Sequence, residues 1–366
     1  METIKSHNAK FLPLEKSKFY ATLLKQVDNY FETRKIKKTA NTTMVIKTIV
    51  LAVAYFLPFV AVLVFHLPFW ALLLCYAVMG FAMAGIGMSV MHDANHGAYS
   101  RKKIINRLLG FSLNLLGMGV FNWKLQHNVL HHTYTNIYEL DEDIDGPSIL
   151  RLSPHHKYRK IHKYQQFYVF FLYCLLTLNW YLFKDFIQLV RYKKLGVNKS
   201  TPKQYAWQIT SLILSKLFYA FYIIFVPIYW LNYDWQQIVI ALLVLHFIAG
   251  FILSVTFQLA HTVSESSYPL PNEKNIITND WAIHQVNTTV DFARNSKFLN
   301  WYLGGLNFQV EHHLFPTICH VHYKSLSKIV EETAKEFGIV YSANPTLMAA
   351  IKSHLANIKK LGSASV

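Results

Sequence analysis

Residues 43–65, 69–91, 209–231 and 237–260 are almost uninterruptedly apolar, and each run is long enough to cross the roughly 30 Å hydrocarbon core of a bilayer. The first two runs are separated only by His66-Leu67-Pro68 and the last two by residues 232–236, so they read as two helical hairpins. Composition agrees: hydrophobic residues make up 53% of the chain and charged residues only 15%, outside the range of an ordinary soluble domain. The formal charge of +16 would suit nucleic acid, but the basic residues flank apolar segments and form no domain of their own. Anionic lipid headgroups are the simpler partner, and nucleic acid is excluded. Cys75, Cys174 and Cys319 are far apart with no CxxC pair, so no disulfide framework is expected.

Two further segments are apolar but interrupted. Residues 104–123 carry Asn106, Asn114, Gly110, Gly117 and Gly119, which suggests a half-buried or re-entrant helix. Residues 167–190 are rich in aromatics but contain Asn179, Lys184, Asp185 and Gln188, as an interfacial helix does. With four crossings the outer loops contain no Lys or Arg, and nearly all the positive charge lies inside. The expected class is an all-α membrane protein: four transmembrane helices, with a cytoplasmic helical cap and interfacial helices holding a histidine-rich site. Its parts are a cytoplasmic N-terminal segment (1–41, with no signal-peptide pattern), a catalytic domain (42–325) and a cytoplasmic C-terminal tail (326–366). Both termini and the site are expected in the cytoplasm. The acidic run Glu139, Asp141, Glu142, Asp143, Asp145 and the basic run that follows it, with His155, His156 and His162, read as cytoplasmic, these histidines facing headgroups.

Three histidine clusters adjoin the apolar runs: His92-Asp93-Ala94-Asn95-His96, His127-Asn128-Val129-Leu130-His131-His132, and Gln309-Val310-Glu311-His312-His313. Residues four apart on a helix share a face, so His92 with His96 and His127 with His131 can each offer two imidazoles to one ion. Neighbouring histidines diverge by about 100°, which suits His131/His132 and His312/His313 to two metals. One such pair is ordinarily a surface or satisfied core histidine; three clusters in one chain indicate a dinuclear centre. Imidazole serves iron, zinc, copper or nickel alike. Zinc normally needs only three protein ligands and water, fewer than this chain provides. Two irons activating dioxygen fit better, because attack on an unactivated C–H bond needs redox chemistry that side chains lack.

In this order and distribution the clusters resemble the histidine boxes of the membrane fatty acid desaturase superfamily. Gln309-Val310-Glu311-His312-His313-Leu314-Phe315-Pro316 resembles the front-end branch, which has Gln where other members have the first histidine of the third box. His92-Asp93-Ala94-Asn95-His96-Gly97-Ala98-Tyr99-Ser100 and His127 to Asn136 are most similar to bacterial and cyanobacterial acyl-lipid members of the delta-6 type. The likeness covers roughly residues 45–325 and implies a non-haem di-iron enzyme. It would use O2 and two electrons to introduce a cis double bond into a long acyl chain carried by a lipid or CoA. The implied ligands are His92, His96, His127, His131, His132, His312 and His313, with Gln309 at the variant position. The family also implies a further histidine at the end of the last span, where His261 stands. No His-Pro-Gly-Gly motif of a fused cytochrome b5 domain occurs, so a separate donor, ferredoxin or free cytochrome b5, is expected. A bacterial cytoplasmic membrane is the implied location.

Asp93 and Glu311 adjoin ligands and are candidates to accept a histidine ring N–H, with a solvated acid as the alternative. Cys319-His320-Val321-His322 reads as structural or donor-facing, and His246, alone inside a span, as packed or hydrogen-bonded. The same architecture also serves hydroxylases and sphingolipid-modifying enzymes, and the Gln309 variant favours desaturation. A metal transporter would carry ionisable residues within its spans; apart from Lys47, Lys216 and His246 there are none.

Overall fold

The computed structural model describes residues 9–12, 18–145 and 148–364, predominantly as helix. The four apolar runs form the helices Thr42–Val64, Phe69–Asn95, Pro202–Trp230 and Trp235–His261. At about 1.5 Å per residue, a helix of 27 residues such as Phe69–Asn95 or Trp235–His261 reaches about 40 Å. Each is therefore longer than the bilayer core is thick, with a histidine in its last turn. Large apolar side chains such as Ile49, Leu57, Val64, Trp70 and Leu217 are exposed along these helices, as lipid-facing residues are.

The chain divides into two units. One, Asn41–Leu125 with Phe170–Val255, contains the spans. Its helices approach closely through small residues: a Cβ on Gly80 would lie 2.6 Å from the Leu245 carbonyl oxygen, and one on Gly250 2.5 Å from that of Cys174. Tyrosines tie the helices together, Tyr76 donating to the Ile223 carbonyl at 2.8 Å and Tyr222 to that of Leu115 at 2.9 Å. The two short turns that close the helix pairs meet where Tyr233 accepts from the Leu67 N–H at 2.7 Å and donates to the Phe65 carbonyl at 3.0 Å.

The segment expected to be re-entrant is broken: Lys103–Leu115 and Val120–Tyr134 are bent by 113°. Gly117 takes the turn at φ +83°, where a side chain would also strike Tyr181 and Tyr219. Lys160–Cys174 and Leu176–Lys194 are likewise bent, by 59°. Within the second of these, Asp185 is fully buried, bonded to Lys216 Nζ at 2.9 Å and to the Gly119 N–H at 2.9 Å. His246 is satisfied by Thr177 Oγ1 at 3.1 Å and Tyr219 OH at 3.2 Å, so the packed, hydrogen-bonded reading of that histidine fits.

The other unit comprises Met1–Ala40, Gln126–Val169 and Thr256–Val366. The helix Lys18–Arg34 buries Phe19, Leu23, Val27 and Phe31, a stripe at four-residue spacing, in a core with Phe308, Val310, Leu314 and the helix Tyr323–Glu336. Two short parallel ladders, Lys10–Leu12 with Ile276–Asp280 and Asp291–Phe292 with Ala343–Asn344, pin distant segments. The helix Leu347–Leu361 is anchored by His354, whose Nδ1 lies 2.8 Å from the Thr262 carbonyl.

Candidate metal centre

The central cluster does not lie on a plain α-helix. Lys124–His131 is a π-helical turn, and His132–Tyr134 resumes the α-helix. A π-turn bonds i to i+5, so residues five apart share a face. The Nε2 atoms of His127 and His132 are accordingly 3.3 Å apart, and His127 Nε2 is 3.4 Å from that of His312. His127 still stacks on His131 at 5.3 Å, and both have a ligating atom near Asp143. The pairing expected from α-helical spacing is thus one of two that the turn offers. His131 also joins His261 and His313, with one ring nitrogen from each within 4.8 Å of the others. The short helix Gln309–Leu314 presents His312 and His313 from one turn, and His261 ends the last apolar helix. Within this unit six of the expected ligand histidines converge, all buried.

The outer nitrogens are held. His131 Nδ1 donates to Asp141, with both carboxylate oxygens at 3.1 Å, and lies 3.3 Å from Asp143 Oδ2. His313 Nδ1 donates to Gln285 Oε1 at 2.8 Å, and Gln285 Nε2 donates to the His132 carbonyl at 3.2 Å. His312 Nδ1 lies 3.4 Å from the Tyr323 hydroxyl. Fixing each Nδ1 outward leaves Nε2 as the inward, lone-pair nitrogen, the tautomer a metal requires. Nε2 of His131, Nε2 of His313 and both amide atoms of Gln309 are buried with no hydrogen-bond partner. Such groups are costly unless something else meets them. Burial, reinforced by the neighbouring imidazoles, holds the His313 pKa well below the ordinary histidine value. Burial lowers the His131 pKa too, but the adjacent Asp141 and Asp143 outweigh it and push it up to about 9, so a bound cation would take the place of a proton there.

The first cluster lies at the end of Phe69–Asn95, after a π-helical turn over Ile86–Met91. The rings of His92 and His96 are 4.8 Å apart, and Trp123 packs edge-on against them at 5.6 and 5.8 Å. The two imidazoles thus lie on one side of the chain end, the placement that four-residue spacing leads one to expect.

The sequence profile of the fatty acid desaturase family matches residues 67–345. The chain belongs to the fatty acid desaturase family. It is 36% identical to the sn-1 linoleoyl-lipid 6-desaturase of Synechocystis over 96% of this chain and 97% of that protein. The same-named protein of Arthrospira platensis is 34% identical over 94% of this chain and 92% of its own length. The acyl-lipid (8-3)-desaturase of Physcomitrium patens is 33% identical over 99% of this chain and 75% of its own length.

In this desaturase several roles fall to residues that sequence reasoning passed over. Asp141, read only as one of a cytoplasmic acidic run, is fully buried and orients His131. Gln285 does the same for His313 from 28 residues away, and no local pattern marks it. Glu311 makes a different set of contacts: Tyr341 OH lies 3.0 Å from its Oε1 and 2.5 Å from Asp291 Oδ2. Burial and the adjacent Asp291 hold the Glu311 carboxyl well above the usual range. Asp93 Oδ1 lies 4.0 Å from His92 Nδ1. The basic-loop histidines are bonded inward, contrary to the expectation that they face headgroups. His155 reaches the Tyr268 carbonyl at 2.8 Å, His156 reaches Asp145 at 3.0 Å, and His162, buried, reaches the Ser148 carbonyl at 3.0 Å. His320 and His322 are also buried, and the His322 ring packs edge-on against Phe31 at 5.1 Å, in keeping with a structural role.

Proposed function

We propose that the chain is a front-end desaturase of membrane lipids, with two non-haem irons held by His92, His96, His127, His131, His132, His261, His312 and His313, and Gln309 at the variant ligand position. The observation that carries this reading is the inward convergence of buried imidazoles whose outer nitrogens are anchored by Asp141 and Gln285. The substrate class follows from the names of the relatives, which act on lipid-bound acyl chains. Bound iron supplies the oxidising power for cleaving an unactivated C–H bond, with O2 as co-substrate. The balance is one –CH2–CH2– unit, O2, two electrons and two protons giving one cis double bond and two waters. The electrons come from a separate donor, ferredoxin or cytochrome b5. The protein's own part is to fix the ligand tautomers and hold the site dry.

The topology that supports this reading is four crossings, with the site and both termini on the cytoplasmic face of the membrane. The outer turns 65–68 and 231–234 contain no Lys or Arg. The test is expression in a host that makes no polyunsaturated fatty acids, followed by gas chromatography of its lipids. A new cis double bond, absent with the His313→Ala variant, is expected. A hydroxylated product would move the reading to oxygen insertion.

A further inference from the structure

The span-containing unit holds a groove of about 890 Å³, in the upper part of the roughly 300–1,000 Å³ range of ligand sites. Its walls are largely apolar, with Phe111, Val120, Phe121, Leu125, Trp207 and Leu212 among them. Its rim is polar and cationic. Lys199 and Lys203 line it on either side of Thr201, whose side chain caps the helix beginning at Pro202 through a 3.3 Å bond from the Gln204 N–H. No carboxylate lines the groove among the described residues, and Asp185, behind Gly119, is matched by Lys216.

Two lining residues sharpen the picture. Asn114 and Asn122 are 5% and 2% exposed, and their amide nitrogens are committed to Ser215 Oγ and to Asp185. The side-chain oxygen of each is buried without a partner. Asn122 is also the neighbour in sequence of Trp123, whose ring packs on His92 and His96. A long apolar wall with a cationic mouth, next to the residue that braces the first histidine pair, forms an amphiphile site.

We infer that this groove binds an anionic glycerophospholipid, its phosphate at Lys199 and Lys203 and one acyl chain along Phe111, Phe121 and Leu212. The inference deepens the reading of the chain as an acyl-lipid desaturase, on which it rests, by naming the headgroup charge of the lipid. Charge complementarity selects this occupant: the groove offers cations and no anion, and a zwitterionic headgroup would set its own ammonium against the two lysines.

The test is lipid retention by the full-length protein, read by native mass spectrometry against phosphatidylglycerol and phosphatidylcholine with the same 18-carbon chains. The wild type is expected to retain phosphatidylglycerol at least about tenfold better, since each lysine beside an anionic lipid contributes about fivefold. The Lys199→Gln/Lys203→Gln double variant should lose the preference, and Lys199→Arg/Lys203→Arg should keep it. Ser211→Trp, which fills the groove, should lower retention of both lipids. Equal retention of the two lipids by the wild type, or an unchanged preference in the Gln double variant, would overturn the inference. Because binding is read apart from product, a wild type that shows the preference yet forms no alkene would refute the functional reading and leave the groove standing.

Discussion

Gln309 occupies a position where an imidazole would be unremarkable, fully buried on the same short helix as His312 and His313 with both amide atoms unmet. If it serves as a ligand position through its carbonyl oxygen, Gln309→His retains part of the alkene yield, whereas His312→Ala and His313→Ala abolish it. A Gln309→His variant as inactive as His312→Ala, with normal metal content, would assign Gln309 to orienting oxygen or substrate. Asp141 and Gln285 act one step further out. Asp141→Ala and Gln285→Ala should each weaken metal retention about 10- to 100-fold, the usual effect of removing a group that orients a ligand. Titrating the metal out with a chelator measures this without recourse to activity. The histidines themselves were legible because metal chelation imposes short-range spacing. Asp141 and Gln285 were not, because each meets its histidine only after the chain has folded back, and neither residue type announces such a role.

At the level of elements, the apolar runs set the spans, and two of the helices extend them by the few residues that include His92 and His261. What hydropathy does not reveal is winding. The π-turns over Ile86–Met91 and Lys124–His131 change which histidines share a face, and an α-helical wheel misassigns the closest partner of His127. Nor does a sequence reveal that Asp185, one of the polar residues that marked 167–190 as interfacial, is buried against Lys216. Lys216 Nζ also donates to the carbonyls of Gly117 and Tyr181, so this pair joins the glycine bend to the third apolar helix. Removing one partner leaves the other charge buried, at a cost of about 3–5 kcal/mol. Lys216→Met should therefore lower the thermal unfolding midpoint in detergent sharply, and a wild-type midpoint would show the pair to be dispensable.

For the whole molecule, the proposed topology has four crossings with the site and both termini on one face, and the distribution of Lys and Arg supports it. A cysteine introduced at position 194 should be protected from an impermeant thiol reagent in intact cells, and one at position 234 should be labelled. Labelling at 194 would mean that the bent segment Lys160–Cys174 with Leu176–Lys194 crosses the bilayer. Whether the histidine clusters build one dinuclear iron centre is read from the metal stoichiometry. Elemental analysis of purified, active protein should give two irons per chain, falling in His131→Ala, whose ring stands between the His127 and His261/His313 groups. One metal ion per chain, or zinc in place of iron in protein that still forms alkene, would contradict it.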